Sequence, residues 1–197
     1  MRKRVNSGKI SAGAIVLIVI GVLVLIGVLI VVSGYNKAVG LDEAVQARWA
    51  QVDTVLVRRF NLIPNLVETV KGYAAHEKEL FKHIADTRTK YFQPGASVAQ
   101  KAQAASELQG ALSRLLLLSE AYPQLKANEN FLKLQDQLEG TENRIAVERK
   151  RYNDAVRTLN TYARTIFGRF VCGLADVEKA EYFEAAEEQK APPKVKF

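Results

Sequence analysis

Cysteine and histidine are almost absent from this sequence, which contains one cysteine, Cys172, and two histidines. A single cysteine excludes an intramolecular disulfide and a zinc site built from several cysteines of one chain. Catalytic and nucleotide-binding motifs are missing too, because no G-x-S-x-G, P-loop or G-x-G-x-x-G string occurs. These absences favour a protein without catalytic chemistry and without a cofactor.

Strand-like alternation is also missing after Tyr35, whereas apolar residues recur at helical spacing. The sequence therefore predicts an all-α fold, an elongated antiparallel bundle of about four helices. The first apolar stripe contains Leu41, Val45, Trp49, Val52, Leu56, Ile63, Leu66, Val70, Tyr73, Leu80 and Ile84.

Pro64 interrupts this first stripe. Proline inside a helix removes a backbone hydrogen bond and costs about 3 kcal/mol, unless it lies in a first turn. Asn61 could cap such a turn, so we expect the helix to bend or restart between Asn61 and Asn65. The segments on either side of Pro64 are then expected to form a hairpin arm.

Helix ends are predicted later in the chain by capping residues and prolines. A capping box begins at Ser97, and Pro123 ends the helix that follows. Asn128 or Asn130 can cap a last long helix, which we expect to continue to Gly168.

The longest apolar run, residues 12–32, contains no charged side chain. At about 1.5 Å per residue, its helix matches a hydrocarbon core about 30 Å thick. The run is too long for a cleaved signal peptide and predicts an uncleaved transmembrane anchor in contact with the lipid bilayer. Basic residues before this run predict a cytoplasmic N-terminus and a bundle outside the cytoplasm.

The net charge of +7 is concentrated at the N-terminus, where Arg2, Lys3, Arg4 and Lys9 supply more than half of the excess. This distribution argues against a nucleic-acid partner. The chain thus divides into a basic arm at 1–11, the anchor at 12–32, a juxtamembrane linker at 33–40, the bundle at 41–184 and a tail at 185–197. The tail is polar and is expected to be disordered.

Several recognisable strings are distributed along the chain: Tyr35-Asn36, Trp49, Arg58-Arg59, LIPNLVETVKGYAAHE, EAYPQLKAN, LQDQLEGTENRI, Arg149, Tyr152-Asn153 and EYFE. Together they closely resemble the LemA family of bacterial membrane proteins, which implies that the anchor lies in the inner membrane of a bacterial cell. The resemblance implies an N-terminal transmembrane segment, a helical bundle and no assigned catalytic residue. Many members have Phe-Pro where this chain has Phe167-Gly168, which leaves the path after the last helix less defined.

Two groups of polar residues are candidate sites. His76, Glu79 and His83 would share one face of a helix, and such residues can bind zinc, but the two histidines are two turns apart. The preferred interpretation is a solvated face, so no catalytic, cofactor or metal residue is assigned. The second group surrounds Pro64 and consists of Arg58, Arg59, Asn65, Glu68 and Lys71. Across the bundle, Glu142 could pair with Arg58 or Arg59.

A membrane-anchored scaffold or interaction protein of the envelope accounts best for these features. The alternatives are a zinc-dependent enzyme that uses His76, Glu79 and His83, and a binder of anionic lipid or nucleic acid. Self-association is also expected, because several large side chains lie off the apolar stripes and a monomer would expose them. These residues are Trp49, Val55, Phe60, Phe81, Tyr91, Phe92, Tyr162 and Phe170.

Overall fold

The computed structural model describes residues 12–184, which contain six helices and no strand. The all-α prediction is therefore confirmed. The basic arm at 1–11 and the tail at 185–197 lie outside the described residues, so their predictions stay predictions. The helices are α1 (Ala12–Lys71), α2 (Lys78–Tyr91), α3 (Val98–Ala121), α4 (Pro123–Lys126), α5 (Glu129–Arg164) and α6 (Ile166–Leu174).

Helix α1 is one continuous helix of 60 residues that joins the apolar run directly to the bundle. Residues 33–40, which we interpreted as a linker, are helical and bury Gly34 and Ala38. The helix also passes through Pro64 without a restart, so Asn61 and Asn65 do not cap a new helix. Phe60, Ile63 and Leu66 are buried on both sides of the proline, and their packing holds the helix together across the lost hydrogen bond.

The chain reverses at residues 72–77 and not at Pro64, so the predicted hairpin arm is wrong. Gly72 and the turn after it end α1, and α2 then folds back along it. Phe60 of α1 stacks on Tyr91 at the far end of α2, with ring centroids 4.2 Å apart. The apolar stripe that appeared continuous in sequence therefore belongs to two antiparallel helices.

Helices α1 and α5 form the antiparallel backbone of the molecule. Near the membrane segment, Tyr162 Oη donates to the backbone oxygen of Gly34 over 3.1 Å. At the opposite end, Asn128 Nδ2 donates to Tyr73 Oη over 3.0 Å. Helices α2 and α3 pack on each other and flank only the end of this pair that lies farther from the apolar run. The result is a four-helix bundle on a two-helix stalk.

The predicted caps are largely confirmed. Ser97 accepts a hydrogen bond from the Gln100 amide and completes a capping box, and Asn128 caps α5. The last long helix, however, ends at Arg164 and not at Gly168. Thr165 has extended backbone angles and its hydroxyl accepts from the Gly168 amide, which starts α6 as a separate helix.

Three of the seven aromatic side chains expected at the surface are in fact inside, and Trp49 and Tyr162 are partly buried. Phe60, Phe81 and Tyr91 are buried in the main core, because α2 packs over the side of α1 that carries Phe60. Phe92 and Phe170 are exposed as expected. The aromatic argument for self-association therefore rests on far fewer residues than the sequence indicated.

Candidate functional site

A buried arginine lies in the middle of the bundle. Arg59 of α1 donates from Nη1 to Glu142 Oε2 on α5 and from Nη2 to Gln109 Oε1 on α3. One guanidinium therefore joins three helices, and of the two pairings predicted for Glu142, the one with Arg59 is confirmed. The third guanidinium nitrogen, Arg59 Nε, is buried and has no hydrogen-bond partner within residues 12–184.

The electrostatics of this cluster favour a structural role. Burial lowers the pKa of Arg59, while the Glu142 carboxylate acts in the opposite direction. Arginine stays protonated in proteins, so the bundle encloses a permanent charge. That charge is satisfied only when α1, α3 and α5 are in register.

A cleft of about 270 Å³ opens beside the arginine, between α3 and α5. Leu112, Leu116 and Leu138 form its apolar wall, and Ser113 is its only hydroxyl. That hydroxyl donates to the backbone oxygen of Gln109, and no histidine lines the cleft that could activate it. The cleft thus offers apolar contact beside a charged pair, without the groups that nucleophilic chemistry needs.

A second polar cluster holds α2 and α3 against α1. Tyr91 Oη donates to Asp53 Oδ1 over 2.7 Å, and Lys101 Nζ donates to the same oxygen over 2.8 Å. Burial, followed by the Asp53 carboxylate, raises the pKa of Tyr91. These contacts fix the end of α2 and the start of α3 to the middle of α1.

The C-terminal strap, residues 177–184, is an extended segment that lies along α5. Asn153 and Asn160 each bind one strap residue through both backbone groups: the side-chain oxygen accepts from its amide and the side-chain nitrogen donates to its carbonyl. The bound residues are Phe183 and Ala180, with distances between 2.9 and 3.1 Å.

The spacing of these asparagines suits an extended chain. Seven residues along a helix span about 10.5 Å, and three residues of extended backbone span about 10 Å. Asn153 and Asn160 can therefore hold residues 183 and 180 at the same time. In the sequence, Tyr152-Asn153 and EYFE stand out only as part of the family resemblance. The seven-residue spacing of Asn153 and Asn160 was the signal available for their shared role.

Aromatic side chains complete the attachment of the strap. Phe183 is buried beside Trp49 of α1, and Trp49 also contacts the ring of Tyr152 on α5. Tyr152 Oη donates to the backbone oxygen of Glu181 over 2.7 Å. The strap thus covers the two-helix stalk where α2 and α3 do not reach it.

Protonation of Tyr152 should make stability depend on alkaline pH. Burial, with a smaller contribution from Glu181, raises the pKa of Tyr152 from 10.0 to about 12. The unfolded chain loses this proton first, so the folded state binds more protons above pH 10 and stability falls between about pH 10 and 12. Thermal unfolding at a series of pH values measures this loss of stability. The stability of Tyr152→Phe should fall less steeply between pH 10 and 12 than that of the wild type. Some pH dependence should remain, because the pKa of Tyr91 is raised as well.

At neutral pH, the same variant should lose about 1 kcal/mol through the missing hydrogen bond. Wild-type and variant curves should therefore approach each other as the pH rises. Parallel curves from pH 10 to 12 would contradict the assigned pKa shift.

The structure does not contain the helical arrangement of His76, Glu79 and His83 on which the zinc hypothesis depends. His76 lies in the turn before α2, whereas Glu79 and His83 are on α2, and all three side chains are exposed. The three residues therefore do not form one helical face. Within residues 12–184, no group of three His, Cys, Asp or Glu side chains is arranged to hold a metal ion.

The junction between α5 and α6 depends on Gly168. A Cβ added there would collide with the backbone oxygen of Tyr162, whereas one added at Gly173 would meet nothing within 4 Å. We expect Gly168→Ala to cost about 1–2 kcal/mol, and Gly173→Ala to be neutral or slightly stabilising because alanine favours helix. Chemical unfolding of both variants measures the difference, and equal stabilities would show that the junction adapts freely.

Comparison with known proteins supports the resemblance seen in the sequence. The chain is similar to the magnetosome proteins MamQ 2 and MamQ 1 of Paramagnetospirillum magneticum, at 27% identity over 175 residues in both cases. MamQ of Magnetospirillum gryphiswaldense is 25% identical over 174 residues. The alignments cover 76% of this chain but 64% of each relative, so the chain spans somewhat less than two thirds of the length of these relatives.

A protein-family model also matches residues 48–197, a range that contains the stalk from Arg48 onward, the whole bundle and the strap. The match includes Arg59, Glu142 and both asparagines that hold the strap. The chain therefore belongs to the LemA family.

Proposed function

We propose that this protein is a membrane-anchored, non-catalytic scaffold that holds an interaction surface at a fixed distance from a bacterial inner membrane. The observation that carries the proposal is the continuity of α1 from the apolar run into the bundle. A helix between residues 32 and 71 projects about 60 Å, at 1.5 Å per residue. Membership of the LemA family and the apolar N-terminal helix support membrane association.

The stalk makes this projection stiff. Helix α5 lies antiparallel to α1, and the strap fills the groove on the stalk that the shorter helices leave open. A rod of two packed helices bends less than one helix on a linker, so the position of the anchor sets the position of the bundle. A stiff stalk of this kind is better suited to presenting a protein-binding surface than to catalysis.

The occupants of that surface are other envelope proteins or further copies of this chain. Confinement to a membrane raises the effective concentration of neighbouring copies, so weak lateral contacts become populated. Leu132 and Val147 are large apolar residues on the outside of α5 and are available for such contacts. Light scattering of the detergent-solubilised full-length protein tests self-association, and a strictly monomeric mass at every concentration would exclude it.

The magnetosome proteins to which the chain is similar are consistent with a role at a membrane.

The proposed orientation rests on charge alone. Arg2, Lys3, Arg4 and Lys9 precede the apolar run, while Lys37 and Arg48 follow it together with Asp42 and Glu43. This asymmetry supports a cytoplasmic N-terminus with the bundle on the opposite side of the membrane.

Thiol labelling in intact cells tests the topology. In a Cys172→Ala background, Ser7→Cys reports on the N-terminal side and Lys133→Cys on the exposed surface of α5. A membrane-impermeant maleimide should label the Lys133→Cys variant in intact cells and the Ser7→Cys variant only after lysis. The opposite pattern would reverse the orientation, and extraction of the protein by alkaline carbonate would exclude an anchor that spans the bilayer.

A further inference from the structure

Helix α6 has a buried face and an apolar exposed face. Gly168, Val171 and Cys172 are buried, and Cys172 forms a small cluster with Ala38 of α1 and Ala163 of α5. The other face carries Ile166, Phe170 and Leu174, which are 96%, 57% and 55% exposed. Their spacing of four residues places these three side chains in one row along the helix.

The start of α6 lies next to the apolar run of α1. The ring of Phe167 is so close to Gly34 that a Cβ added to the glycine would lie 2.5 Å from it. Tyr162, in the last turn of α5, donates to the backbone oxygen of the same glycine. The start of α6 is therefore fixed within two residues of Val32, the last residue of the apolar run.

A cleft of about 410 Å³ continues this surface into the apolar run. Its walls are Tyr162 and Phe167 on one side and Ile26, Leu29 and Ile30 of α1 on the other. Ile26 precedes Val32 by six residues, or about 9 Å along the helix. The cleft therefore extends from the end of the apolar run to a depth that acyl chains would occupy if residues 12–32 span a bilayer.

Basic side chains border the same surface. Arg164 and Arg169 are exposed, and neither has an ion-pair partner within residues 12–184. Lys37 of α1 lies over the ring of Tyr162, with Nζ 4.9 Å from the centroid. Long basic side chains next to an apolar helix face are typical of helices that lie in a membrane interface, where the cations reach lipid phosphates.

We infer that α6 is a second membrane contact, which lies in the headgroup and upper acyl region of the leaflet from which α1 emerges. The inference rests on the proposed span of residues 12–32. The cleft connects the start of α6 to the apolar surface of α1, and the exposed row lies on the same short helix, so lipid that surrounds the span also covers α6. This contact attaches the base of the stalk at two points and limits its tilt relative to the bilayer.

Fluorescence quenching by spin-labelled lipids tests the inference on the full-length protein. Single cysteines replace Ile166 or Leu174 in a Cys172→Ala background and carry an environment-sensitive fluorophore. Vesicles of phosphatidylcholine and phosphatidylglycerol contain lipids with the quencher either near the headgroup or near the end of the acyl chain. Leu23→Cys, within the apolar run, is the control for the span, and Leu117→Cys, which is exposed on α3, is the control for water.

Labels at positions 166 and 174 should be quenched several-fold more strongly than the label at position 117, mainly by the shallow quencher. The label at position 23 should respond best to the deep quencher. If position 23 responds while positions 166 and 174 behave like position 117, the inference is wrong and the span stands. If position 23 does not respond, the proposed span itself fails.

A second copy of the chain could instead cover α6. In that case, the emission of the label at position 166 would shift with the ratio of protein to lipid, and lipid-borne quenchers would have little effect. That result would overturn the inference and assign the exposed row to self-association. Quenching that persists when each vesicle holds at most one protein supports the lipid contact.

Discussion

Phe183→Ala should lower the free energy of unfolding by about 3–5 kcal/mol, the range for aromatic side chains removed from a core. Phe183 is only 5% exposed although it lies in a segment without secondary structure, and its ring packs 6.2 Å from that of Trp49. Its loss leaves a cavity between α1 and α5. It also weakens the strap that covers Tyr152.

Tyr182 provides the matched control, because it is the adjacent strap residue and is 42% exposed. Tyr182→Ala should change stability by less than about 0.5 kcal/mol, as surface substitutions usually do. Urea unfolding of the full-length protein in detergent measures both variants. The backbone amides of residues 180 and 183 donate hydrogen bonds to Asn160 and Asn153. Hydrogen exchange at these two amides should accelerate only in the Phe183→Ala variant. Equal losses in both variants would show that the strap does not belong to the core.

Substitutions at the buried ion pair should have unequal effects. Glu142→Ala leaves the charge of Arg59 inside the bundle without its carboxylate, and we expect a loss of about 2–3 kcal/mol. The value is below the usual range for buried pairs because Glu142 is half-exposed and Gln109 still accepts from Arg59. Arg59→Met removes the charge and retains the volume, and the remaining Glu142 can be solvated, so the cost should be below about 1 kcal/mol.

The double variant Arg59→Met with Glu142→Ala completes the comparison. It should resemble the Arg59 single variant, because the glutamate matters only while the buried cation is present. Unfolding of all four proteins in urea gives the interaction energy. Additive effects of the two substitutions, or a larger loss for Arg59→Met than for Glu142→Ala, would contradict this assignment.

The pair also illustrates how far a candidate contact follows from sequence. Charged residues that interrupt an apolar stripe must meet a partner when they are buried, which limited the choice to Arg58 or Arg59 with Glu142. Choosing between the two arginines needed the rotation of α1 in the bundle, which buries Arg59 and exposes Arg58. The contribution of Gln109 required the position of α3, which the local pattern does not encode.

The sequence by itself determined the helical class, the apolar run and the caps at Ser97 and Asn128, because periodicity and capping act between residues a few positions apart. Tertiary structure alone decided that α1 continues through Pro64, where packing on both sides of the proline outweighs its local cost. It also decided the place of the strap. An extended segment has no helical period, and its path is set by the groove and by asparagines of another helix. Contacts between residues far apart in the sequence therefore determined the continuous stalk and the position of the strap, on which the proposed function rests.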